Sequence, residues 1–115
     1  MKINTEYVLK NLKGEEMKLL SSEMVDGKEK TIEKPMVFRE VITNLLNTET
    51  QENRMTSELK TKAFQIMKKL WDGKEADLTV EQRALINERA IIFYPTMTAG
   101  IIRDYMEEKV EEVKK

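Results

Sequence analysis

Phe38, Val41, Ile42, Leu45 and Leu46 fall at i, i+3, i+4, i+7 and i+8, with polar residues at most positions between them. Only an α-helix brings that spacing onto one side, because side chains three and four positions apart stack along the same face. A similar stripe returns at Leu59, Ala63, Ile66, Met67 and Leu70, and again at Met97, Ile101, Tyr105 and Val110 with Ile102 and Met106 beside it. Narrow apolar stripes are buried by laying helices against one another. The charged fraction, 36% of the chain against about 25% in an average globular domain, supplies the solvated faces such helices need.

Punctuation sets the expected boundaries. Pro35 suits a first helical position, where its missing N–H is no loss, so the first helix is predicted to start there. The polar stretch from Asn47 to Met55 ends it as a loop. A second helix is predicted from Thr56 to Asp72, capped by Thr56 or Ser57, with Glu58 at the positive end of its dipole. Phe64 and Trp71 are expected to widen its buried stripe, and Gly73 to take a left-handed C-terminal position. Thr79-Val80-Glu81-Gln82 is a capping box and opens a third helix. Its apolar positions are Ala84, Leu85, Ala90, Ile91 and Ile92, and the run from Ala90 to Tyr94 is expected at the centre of the domain. Pro95 must break or kink it. A fourth helix follows from about Thr96, with Gly100 expected where another backbone approaches closely. Its last residues, Glu107 to Lys115, are almost all charged and are expected to be a solvated helix end or tail.

Residues 1–34 are less regular. Tyr7, Val8, Leu9 and Leu12 precede a turn at Lys13-Gly14, and Met17 and Leu19 alternate with polar neighbours. Asp26-Gly27 lies between two short mixed runs, the signature of a type I′ turn, which needs positive φ at both central residues. A small β-hairpin or meander is predicted. The expectation is therefore one α+β domain over residues 1–115, mostly α, with about four helices and a short N-terminal β-hairpin. Within it, residues 1–34 form the hairpin and irregular part, 35–106 the helical core and 107–115 the charged tail.

The residue inventory narrows function. Without cysteine or histidine the chain lacks disulfides, thiolate ligands and the commonest general base. The longest apolar run, Ala90-Ile91-Ile92-Phe93-Tyr94, is far short of the roughly 20 residues that span a bilayer, and the start of the chain turns polar at once, so a cytoplasmic location and no membrane partner are expected. Basic and acidic residues nearly cancel, 20 against 21, which argues against nucleic acid as the main partner. No phosphate-binding glycine loop, calcium loop or histidine metal motif occurs. Ser21, Ser22 and Ser57 have no base to activate them. Glu107-Glu108 and Glu111-Glu112, one turn apart, read as a solvated face paired with Lys109 and Lys114. No enzyme activity, no cofactor and no metal are expected.

Binding is the reading that remains. Eight methionines are many for 115 residues, and methionine adapts its shape to varied partners. Met36, Met55 and Met106 are candidate exposed contacts, most of the other methionines being core gap-fillers. Phe93-Tyr94-Pro95-Thr96-Met97 is a second candidate, with a buried kink as its alternative. The candidate partner-binding set is thus Met36, Met55, Trp71, Tyr94, Met97 and Met106, facing a host or phage protein or a second copy of the chain. An alternative is a nucleic-acid accessory protein, with Lys60, Lys62, Lys68, Lys69 and Lys74 on phosphates and Trp71 stacked on a base. The joint from Asp72 to Leu78 is longer than the turn of a helix-turn-helix. A pocket for a small ligand near Tyr94-Pro95 is a third reading.

The segment DLTVEQRALINERAIIFYPTMTAGIIRDYME, from Asp77, resembles the C-terminal half of a group of small proteins in tailed phages and prophages. That group reads as a D-L-T start, a helix, a tyrosine-proline kink, a glycine and a final short helix. Its N-terminal half carries a turn of the type L-D/N-G followed by a helix, much as Leu12-Lys13-Gly14 precedes the helix expected at Pro35. In outline the match covers about two-thirds of the chain. The group has no assigned activity or catalytic residues, so the resemblance carries over no site. It implies a phage or prophage accessory protein acting in the bacterial cytoplasm, on a host or defence complex or in virion assembly. The linker from Asn47 to Met55 and the charged tail depart from the group's pattern.

Overall fold

A computed structural model describes residues 2–114, without the side chains of Ser21, Glu23 and residues 108–114. In chain order its elements are β1 (Lys2–Asn4), β2 (Lys18–Val25), β3 (Lys28–Pro35), α1 (Phe38–Leu46), α2 (Ser57–Trp71), β4 (Glu75–Asp77), α3 (Val80–Phe93) and α4 (Thr96–Lys114). This is the mostly helical α+β domain the stripes and the Asp-Gly turn predict.

All five stripe residues of α1 are buried. Pro35, however, does not start the helix; it ends β3, and α1 begins at Phe38 after Val37, which offers no side-chain cap. The orphan N–H groups of the first turn are met by distant main chain instead. Phe38 N–H donates to the Tyr7 carbonyl at 2.7 Å and Arg39 N–H to the Thr5 carbonyl at 3.0 Å. A tertiary contact thus does the work of a cap.

In α2, Thr56 Oγ1 accepts from Leu59 N–H at 3.2 Å. Ala63, Ile66 and Leu70 are buried, with Leu59 and Met67 half-buried beside them. Phe64 and Trp71 do not widen the buried stripe: they stay 59% and 48% exposed. Gly73 is not left-handed; among the described glycines only Gly14 and Gly27 have positive φ. The chain instead runs on into β4, which pairs antiparallel with β1 and sets Ile3 against Ala76. Thr5 fastens this joint by donating its Oγ1 to the Gly73 carbonyl at 2.7 Å and its N–H to the Lys74 carbonyl at 2.9 Å. Strands of three residues leave no periodic signal in the sequence.

The capping box at Thr79 forms in full, with Thr79 Oγ1 accepting from Gln82 N–H at 3.1 Å and Gln82 Oε1 from Thr79 N–H at 3.0 Å. α3 buries Leu85, Ile86, Arg89 and Ala90. The expected burial of the whole run from Ala90 is overturned: Ile91 is 72% exposed, Ile92 and Ala84 are exposed too, and Phe93 and Tyr94 are half-buried. The other elements cover only one face of α3, so apolar residues that continue around the helix meet solvent. After the break at Tyr94-Pro95, α4 buries Ala99, Ile102, Tyr105 and Met106. Gly100 is exposed with nothing within 4 Å of where a Cβ would stand, so no backbone approaches it. The side chains of Glu108, Lys109, Val110, Glu111, Glu112 and Lys114 lie outside the described residues.

The Asp26-Gly27 hairpin forms as predicted. Asp26 and Gly27 have φ of 53° and 76°, as a type I′ turn requires. The register runs from Val25 opposite Lys28 to Lys18 opposite Pro35.

Candidate partner interface

Met36, Met55 and Met106 are not surface contacts. They are 6%, 7% and 0% exposed and sit in the core. Met36 lies between strand and helix, its N–H donating to the Met17 carbonyl and its carbonyl accepting from Leu9 N–H. These methionines fill irregular gaps between elements, the commoner use of a flexible thioether side chain.

Tyr94 is half-buried, and its hydroxyl donates to the Val41 carbonyl at 3.1 Å, holding the α3–α4 kink against α1. Burial pushes its phenol pKa up. Met97 stands 48% exposed just beyond. The dimple at this kink, lined in part by Ile91, Tyr94, Ala99 and Arg103, holds about 240 Å³, less than the roughly 300–1,000 Å³ of ordinary ligand pockets. Trp71 lies elsewhere, at the end of α2. Its indole N–H donates to Thr43 Oγ1 at 2.7 Å, and the Arg39 guanidinium lies 4.5 Å from its ring centroid. The candidate residues thus do not form one cluster.

Several of the candidate phosphate lysines have partners within the chain. Lys60 lies 3.5 Å from Glu49 and Lys62 3.3 Å from Glu58. Met55 N–H donates to the Glu49 carboxylate, which holds that carboxyl below its ordinary value, with Lys60 adding to the effect. Lys69 Nζ donates to the Asp77 carbonyl at 2.9 Å and to Gln82 Oε1 at 2.8 Å, pinning α2 to the start of α3. Lys68 lies 5.4 Å from the Phe64 ring centroid, and the backbone of Lys74 belongs to the Thr5 joint. Phe64, Lys68 and Trp71, at i, i+4 and i+7, leave one edge of α2 aromatic, basic and open.

Among the described residues, four exposed large apolar side chains fall on β2, outside the candidate set. β2 and β3 pack chiefly on each other, so both faces of the hairpin are open. On β2, Leu19 is 47% exposed, Leu20 70%, Met24 72% and Val25 43%. The signal was present in the sequence: adjacent apolar pairs in a strand point to opposite faces, and a strand lying on a core would be apolar on one face only. The two strands form an arm that carries apolar side chains into solvent on both sides.

Among the described residues no group of three or more acidic, cysteine or histidine side chains is placed to hold a metal, and no helix is long and apolar enough to cross a membrane. No family model, curated protein or solved structure matches the chain.

Proposed function

We propose that this chain is a non-catalytic protein-binding module whose contact element is the β2–β3 arm. The exposure of Leu20 and Met24, 70% and 72%, on a hairpin whose strands pack chiefly on each other is the observation that carries this reading. An isolated two-stranded hairpin is marginal in water, and apolar patches rimmed by polar residues mark interaction sites. A partner laid on the arm would bury those side chains and stabilise the strands together. The resemblance of the C-terminal half to small tailed-phage and prophage proteins favours an accessory role in an infected or lysogenic bacterium, with a host, defence or virion protein as the partner.

The test is capture from nuclease-treated bacterial lysate at two salt concentrations, with the wild-type chain beside Leu20→Lys/Met24→Lys. Both positions are exposed, so the double variant retains the helical fold. A stoichiometric protein held by the wild type at both salts and lost by the variant supports the reading. Equal capture by the two overturns the arm as the contact element, and a clean eluate from both removes a host protein as its partner.

The open edge of α2 favours a second reading, in which Phe64 and Trp71 stack on single-stranded nucleic acid with Lys68 near the backbone. Trp71 is the only tryptophan, so quenching of its fluorescence by an oligonucleotide reports directly. Quenching that falls steeply as salt rises supports this reading, since released counterions drive such binding; no quenching at low salt removes it.

A further inference from the structure

We propose that two copies of the chain pair through the outer edge of β2, antiparallel about a two-fold axis at Ser22, and fuse their arms into one four-stranded sheet. This rests on the arm being a protein-binding element and names its occupant.

The hydrogen-bond phase of the hairpin comes first. A two-residue turn closes on a hydrogen-bonded pair, here Val25 with Lys28. At the other end Met36 N–H donates to the Met17 carbonyl at 2.9 Å, in the same phase. The odd-numbered residues of β2 therefore bond to β3. Lys18, Leu20, Ser22 and Met24 turn their N–H and carbonyl groups outward, where no strand lies among the described residues.

The two edges of the arm differ in how they are guarded. β3 reads KEKTIEKP; it is dense in charge, and Pro35 offers no N–H. Lysine and proline are common devices against edge-to-edge pairing. β2 reads KLLSSEMV and has no such guard over its central residues.

The sequence of β2 is also nearly palindromic in polarity about Ser22, with Leu19-Leu20 mirrored by Met24-Val25. A two-fold interface requires that self-complementarity. Outward-facing residues must meet outward-facing residues, which restricts even numbers to even numbers. With the axis at Ser22, Leu20 meets the partner's Met24 and Leu19 meets the partner's Val25. Lys18 falls opposite the partner's Asp26, so unlike charges meet at both ends. Moving the axis to position 21 or 23 sets Leu20 against serine or aspartate and loses the match. A four-stranded sheet also removes the marginality of each hairpin alone. One strand pair is small beside the roughly 1,200 Å² of a standard interface, so the pairing exchanges, and covalent trapping is the suitable readout.

The chain has no cysteine, so an introduced thiol reports alone. Directly opposed residues in a hydrogen-bonded antiparallel pair have Cα atoms about 5.5 Å apart, inside the disulfide range of about 4.4–6.8 Å. Under mild oxidation of the purified full chain, Ser22→Cys is expected to give a covalent dimer roughly tenfold or more faster than Thr31→Cys, which lies across the ladder on β3. A mixture of Leu20→Cys and Met24→Cys is expected to form the mixed dimer faster than either variant forms its own. Equal rates at Ser22 and Thr31, or no preference for the mixed dimer, overturn the pairing. If the lysate capture depends on the arm while these rates show no preference, the protein-binding reading stands and this inference falls; loss of both removes both.

Discussion

The Tyr105 hydroxyl donates to the Asn4 carbonyl at 2.9 Å across 101 residues of chain, tying the last helix to the first strand. The ring is stacked on Tyr7, with centroids 4.1 Å apart and planes within 4°, and lies tilted against Phe38 at 5.2 Å. Burial pushes the Tyr105 phenol up to about 12.

This contact makes stability sensitive to alkali. In the unfolded chain tyrosine ionises near pH 10, while folded Tyr105 holds its proton to about 12. Below the lower value both states are neutral and the contribution is intact; between the two the unfolded state ionises first and stability falls. Tyr105→Phe is expected to cost about 0.5–1.5 kcal/mol at neutral pH and to flatten the alkaline decline without abolishing it, since Tyr94 is shifted the same way. Urea unfolding across that range checks both, and an unchanged alkaline slope would contradict the assignment.

Arg89 should act as a rivet for the loop between α1 and α2. It is 4% exposed, and its Nη2 donates to the carbonyls of Thr48 at 2.9 Å and Asn53 at 3.0 Å. Arg89→Met keeps most of the volume and strands those two acceptors, at an expected cost of about 1–2 kcal/mol. Hydrogen exchange is expected to quicken in residues 47–56 first. A variant as stable as the wild type, with unchanged exchange there, would refute the role.

Gly27→Val tests whether the arm is independent of the body. An L-residue at the φ of 76° is expected to cost about 1–2 kcal/mol. Because β2 and β3 pack chiefly on each other, that loss should appear as faster exchange in the hairpin amides with the thermal midpoint of the helical body unchanged. A fall in the midpoint of the body would show that the arm supports it.

Thr79→Ala should destabilise the whole domain by about 1 kcal/mol through loss of the cap. Gln82→Ala removes the return half of the box and also the oxygen that receives Lys69, so it should cost at least as much. Chemical denaturation of the two variants compares them directly.

What could be read from the sequence was whatever a local pattern encodes. The stripe from Phe38 to Leu46 names every buried residue of α1, because a single helix face was covered over its whole length. Asp26-Gly27 and Thr79-Val80-Glu81-Gln82 specify their own geometry within four residues, so neither needed context. Met36, Met55 and Met106 failed as site candidates because composition does not say which face a residue occupies. Ile91 failed because an apolar run shows capacity for burial, while only the neighbours of α3 decide which of its sides is covered. Arg89 gave no signal: its acceptors lie 41 and 36 residues away.

The amino-acid sequence by itself determined the four helices, the hairpin turn and the stripes that pack, since these follow from backbone preferences and periodicity over a few residues. Tertiary structure alone decided where α1 begins, that β1 finds β4, that Tyr105 and Arg89 hold distant chain, and that the arm stands apart from the core. Each of those depends on groups brought together across tens of residues, and no local spacing carries that information.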